Sequence, residues 1–141
     1  MKISISKIII YSSASITSAL KKLSTTGMRC LVVIDKNKKY LGTISDGDIR
    51  KELLKSKNFS KKIISVYNKN SVFFKNNTFN KNKAEYILRE KNLPLIPIVN
   101  KSFKPINYFT NTNQPIKKYK KINKNNTKVI IMAGGRGERL Q

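Results

Sequence analysis

Leu41-Gly-Thr-Ile-Ser-Asp-Gly-Asp-Ile-Arg50 is where the chain changes from strand to helix. Tyr40 to Ile44 reads as a strand of apolar and β-branched residues. Ser45 and Asp48 then stand three apart, the spacing of a capping box. A hydroxyl at the first position and an acid three residues on pair the amides that a helix start leaves without partners. The spacing predicts a helix from near Asp46, with Ile49, Leu53 and Leu54 on one face.

Upstream, Cys30 to Ile34 is an apolar run of strand length, and Asp35-Lys-Asn-Lys38 is turn chemistry. The two strands therefore form a hairpin. Before them, Ile16, Ala19, Leu20 and Leu23 recur at helical spacing, with Ser15 as N-cap and Gly27 as the stop. Downstream the plan recurs. Val72 to Phe74 reads as a short strand, and Lys81 to Lys91 as a helix carrying Ala84, Ile87 and Leu88. Leu95 to Val99 and Ile106 to Phe109 read as a hairpin around the turn Asn100 to Lys104. Helix, strand, turn, strand appears twice, about 65 residues apart. Asn111 to Lys128 is polar and lysine-rich, contains Pro115, and has too few apolar residues to bury a face. The predicted organisation is a first motif over 1–58, a second, decayed motif over 59–112, a basic linker over 113–127 and the start of another domain over 128–141.

Composition narrows the function. A length of 141 residues suits one compact domain, not a regulatory module plus a complete catalytic one. The formal charge of +23 suggests nucleic acid or an anionic surface. However, Lys outnumbers Arg 25 to 5 and Asn occurs 16 times, spread along the chain with many Ile. An A/T-rich coding sequence gives that composition in any protein, and Arg, the better residue for bidentate recognition, is scarce. Nucleic-acid binding is therefore the weaker reading. No apolar run approaches the roughly 20 residues of a membrane span. The N-terminal apolar stretch, Ile8 to Ile10 directly after Lys7, is too short for a secretory signal. A cytoplasmic location is the expectation. The absence of histidine rules out a His-dependent triad and the usual His-containing zinc sites. Cys30 has no partner for an intramolecular disulfide and reads as a small core hydrophobe.

The duplicated plan and the segment Leu41 to Arg50 together resemble the CBS domain, the cystathionine-β-synthase-type module that occurs in tandem pairs. The resemblance covers about residues 5 to 112. It implies an α+β fold in which each motif has a helix, a strand hairpin and a following helix. The family's ligand motif is Ser or Thr, two residues, then Asp, and Ser45 and Asp48 occupy those positions. It implies AMP or ATP as a regulatory ligand, with the carboxylate on ribose hydroxyls and the hydroxyl, beside free helix N–H groups, on phosphate. It also implies a homodimer. Capping alone explains the same two residues in a protein that binds nothing, so both roles stay open. In the second motif Thr110 and Asn113 stand where Ser or Thr and Asp are wanted. The loss of the carboxylate favours the site at Asp48.

Val129-Ile-Ile-Met-Ala-Gly-Gly-Arg-Gly-Glu-Arg-Leu140 resembles a second family. These are the nucleotidyltransferases that make nucleoside-diphosphate sugars from a nucleoside triphosphate and a sugar 1-phosphate. The resemblance implies the first strand and glycine-rich loop of an α/β, Rossmann-like domain. Gly134, Gly135 and Gly137 would let the backbone approach the nucleotide without a Cβ clash. Arg139 would be catalytic, stabilising the leaving pyrophosphate. The family uses Mg²⁺, but its expected metal ligand and phosphate-binding lysine are not among these residues, so the chain alone is expected to be inactive. The combined expectation is the adenine-nucleotide-sensing front of such an enzyme, serving glycan or polysaccharide precursor synthesis. The rivals are a free-standing CBS ligand-binding module and a basic nucleic-acid-binding protein.

Overall fold

A computed structural model describes residues 3–110. The predicted linker, the segment Val129 to Leu140 and the helix expected after the second hairpin lie outside the described residues. So do Asn113, Gly134, Gly135, Gly137 and Arg139.

The first half runs α1 (Ile5–Ile8), β1 (Ile9–Tyr11), α2 (Ile16–Thr26), β2 (Cys30–Ile34), β3 (Tyr40–Ser45) and α3 (Asp46–Ser56). The second runs β4 (Phe74–Lys75), α4 (Lys81–Glu90), β5 (Ile96–Val99) and β6 (Pro105–Phe109). Two three-stranded sheets result, ordered β1-β2-β3 and β4-β5-β6. In each, the first strand pairs parallel with the second, and the second and third form an antiparallel hairpin. β2 and β5 are central strands covered on both faces, which explains their unbroken apolar runs: all their residues are buried.

Local chemistry sets the ends of α2. Ser15 accepts a hydrogen bond from the Ser18 amide, and Gly27 closes the helix at φ 65°, in the left-handed region where a Cβ is costly. Ile16, Ala19 and Leu23 form its buried stripe. At α4 the cap is Asn80, which accepts from the Lys83 amide.

Two details differ from the sequence reading. Ile8 to Ile10 is part of the core. Ile8 is fully buried, and β1 lies parallel to β2 with Ile9 opposite Val32. Three residues are too few to show strand periodicity, so only the pairing reveals this element. The short strand of the second half is Phe74–Lys75 rather than Val72–Phe74, and Val72 packs beside the second core cluster.

The two halves share interior. Leu95 and Tyr108 of the second half belong to the buried cluster built on α2, β2 and α3, and the Tyr108 hydroxyl donates to the Ile3 carbonyl at 2.7 Å. Residues 59–68 are bonded back onto the first half: Ile16 N donates to Lys61 O, and Thr43 and Asn68 exchange backbone bonds. Ile63 is fully buried there. That crossing places Asn68 against Gly42, where a Cβ would lie 2.2 Å from the Asn68 carbonyl oxygen.

Candidate functional site

β3 ends at Ser45, which is still extended at φ −98° and ψ 163°, and α3 starts with the next residue. The capping box forms in full. The Asp48 amide donates to Ser45 Oγ at 3.1 Å, and the Ser45 amide donates to Asp48 Oδ2 at 2.8 Å. The Ser45 hydroxyl also donates to Asp48 Oδ2, at 2.6 Å. The structural role weighed for this pair is therefore realised.

It leaves room for the other role. All the bonds to Asp48 fall on Oδ2; among the described residues Oδ1 accepts none. Asp48 is half-buried and faces a cleft of about 320 Å³, lined also by Lys51, Lys55, Glu52, Ser65, Val66 and Asn68. That volume is at the lower end of the range for small-ligand sites, about 300–1,000 Å³. Two ammonium groups and a carboxylate oxygen with bonding capacity to spare on one cleft suit a ligand with both hydroxyls and negative charge. Glu52 is tied to Lys61 at 2.6 Å, and that hydrogen bond holds its carboxyl below the ordinary range.

Cys30 pairs with Ser45 across the hairpin and is buried. Burial pushes its thiol up to about 12, so the thiolate that would make it a nucleophile does not form near neutral pH. Asp46 and Arg50 form an exposed i,i+4 ion pair at 2.7 Å, a surface contact of small energy. In the second half, Thr110 holds the place equivalent to Ser45 and is buried. Gly42 carries no signal in the sequence that marks it as a site-shaping residue. Its role depends on the Asn68 backbone, which is 26 positions away, and no local pattern announces that contact. Among the described residues there is no cluster of three acidic, His or Cys side chains able to hold a metal ion. Nor is any helix there long and apolar enough to cross a membrane.

Residues 3–55 match the CBS domain family. Solved CBS-domain structures superpose on both halves. The described fold is that of a CBS domain pair. CBSX2 in complex with AMP shares 22% identity at a TM-score of 0.64, the match covering 79% of this chain and 93% of that one. The CBS domain protein PAE2072 from Pyrobaculum aerophilum, complexed with AMP, has a TM-score of 0.67 at 15% identity, covering 78% and 82%. The CBS domain pair of MJ0100, with 5′-methylthioadenosine and S-adenosyl-L-methionine, has a TM-score of 0.65 at 22% identity, covering 78% and 83%. No curated protein matches the chain.

Proposed function

We propose that this CBS pair is a regulatory module that binds an adenine nucleotide at the Ser45–Asp48 end of the first hairpin. The observation that carries the reading is Oδ1 of Asp48, which accepts no bond among the described residues, beside a cleft bearing Lys51 and Lys55. The carboxylate holds the ribose hydroxyls through Oδ1 while Oδ2 keeps the helix cap. The two lysines draw the phosphates. Ser45 reaches phosphate only if its hydroxyl proton turns away from Asp48. Solved relatives of the same fold hold AMP, or S-adenosyl-L-methionine with 5′-methylthioadenosine, which supports an adenosine ligand.

The test is calorimetric titration of AMP and ATP into wild type, Asp48→Asn and Asp48→Ala. Hydrogen bonds to a charged group contribute about 1.5–3 kcal/mol each. Asp48→Asn, which retains an acceptor for the cap, is expected to weaken binding about tenfold or more with little change in thermal midpoint. Binding that is equal in all three proteins removes Asp48 from the site.

The finer reading concerns Val129 to Leu140. In it, the module regulates a nucleotidyltransferase that joins a nucleoside triphosphate to a sugar 1-phosphate with Mg²⁺. Gly134, Gly135 and Gly137 receive the nucleotide and Arg139 the leaving pyrophosphate. The motif in the sequence is its support, and a homodimer of the module is part of it. In a longer product of the same locus, pyrophosphate release that is lost in Arg139→Ala would support this reading. A module that binds nucleotide with no such chemistry in any longer product of the same locus would leave the free-standing alternative.

A further inference from the structure

The internal duplication builds the same turn twice. In Asp35-Lys-Asn-Lys-Lys39 the Asp35 carboxylate accepts from the amides of Asn37 and Lys39, both at 2.8 Å. In Asn100-Lys-Ser-Phe-Lys104 the Asn100 side-chain oxygen accepts from Ser102 and Lys104, both at 2.9 Å. Lys38 and Phe103 occupy the same left-handed position, at φ 63° and 60°. The halves bring the turns together, with the Tyr40 amide donating to the Phe103 carbonyl at 2.8 Å. This is the turn end of the hairpin: Ile34 pairs with Tyr40 there, whereas Cys30 pairs with Ser45 at the other end.

A cleft of about 490 Å³ opens at this junction. Its apolar wall comes from Ile9, Tyr11 and Ile34 of the first half and Ile106 of the second. Tyr11 and Ile106 are 46% and 42% exposed, more than large apolar side chains usually are beside a packed core. Lys22, Lys38 and Lys104 bring three positive charges, and among the described residues no acidic side chain lines the cleft. Lys22 is anchored by donating to the Ile9 carbonyl, which leaves two of its three donors, and the backbones of Lys38 and Lys104 are placed at the cleft by the two bonded turns. We infer that this cleft is a second ligand site, for a small organic phosphate with a flat apolar body, of the nucleoside-phosphate class. The body lies against Tyr11, Ile34 and Ile106, and the phosphates meet Lys22, Lys38 and Lys104. The cleft volume is of the size such molecules occupy, about 300–1,000 Å³.

The test is independent of the Ser45–Asp48 reading, because it is made in the Asp48→Ala chain. ATP and inorganic pyrophosphate are titrated at fixed low salt into that chain and into versions carrying Lys38→Glu with Lys104→Glu, Tyr11→Ala, or Lys81→Glu with Lys83→Glu. The last pair makes the same charge change on exposed α4 positions. The expected result is saturable one-to-one ATP binding, weakened tenfold or more by the Lys38 and Lys104 changes and unaffected by those at Lys81 and Lys83. Tyr11→Ala is expected to weaken ATP severalfold and leave pyrophosphate unchanged. Equal loss in both lysine pairs would reduce the effect to general charge attraction and overturn the site. So would the absence of saturable ATP binding in the Asp48→Ala chain. Thermal midpoints within a few degrees of one another confirm that the variants are folded.

Discussion

Gly42 is buried in β3 with the Asn68 backbone directly across from it. A methyl group there would stand 2.2 Å from the Asn68 oxygen and 2.9 Å from Tyr67 Cδ2. A main-chain carbonyl held by reciprocal bonds to Thr43 cannot swing aside as a side-chain tip can. Gly42→Ala is therefore expected to lose about 1–3 kcal/mol of stability, the cost of overpacking, in denaturant unfolding. Because Asn68 also lines the Asp48 cleft, nucleotide affinity should fall in the same variant. Glu52 supplies a pH signature. Its hydrogen bond from Lys61 lowers its folded-state pKa. Its contribution is thus complete above the unfolded value, about 4.3, and is lost as pH falls through the lower folded value. Wild type should exceed Glu52→Gln in thermal midpoint at pH 6, and the gap should close as the pH is lowered below about 4. A gap that persists in acid would mean that the pair contributes nothing through charge.

At the level of elements, β1 is the least expected feature. It has three residues, yet it completes the first sheet by parallel pairing with β2, and α1 delivers Ile8 into the core just before it. Ile8→Ala removes a fully buried side chain and is expected to cost about 2–5 kcal/mol, measurable as a shift in the denaturant midpoint. A leader-like stretch outside the fold would show no such loss. The helices are simpler. Side-chain caps at Ser15, Ser45 and Asn80 mark the starts of α2, α3 and α4, and a left-handed glycine ends α2.

For the molecule as a whole, the halves are not independent. Leu95 and Tyr108 complete a core whose other members come from the first half and Ile63. Unfolding followed by far-ultraviolet circular dichroism and by tyrosine fluorescence should coincide in one transition, as expected of one cooperative unit. Tyr108→Phe should lower stability by about 0.5–1.5 kcal/mol, through loss of the bond to the Ile3 carbonyl, without separating the two signals. Two resolved transitions would indicate halves that fold alone. Within this architecture, periodicity in the sequence settled α2, α4, the two hairpins and the duplication, because those signals lie within a few residues of chain. Ser45-x-x-Asp48 was equally legible as a capping box, since capping is local. The sequence could not show that Oδ2 alone serves the cap, that Gly42 must be small, that Ile8 to Ile10 enters the core, or that the turns at Asp35 and Asn100 meet over a lysine-lined cleft. Each of these depends on groups far apart along the chain, and only the packing of one half against the other determines which of them touch.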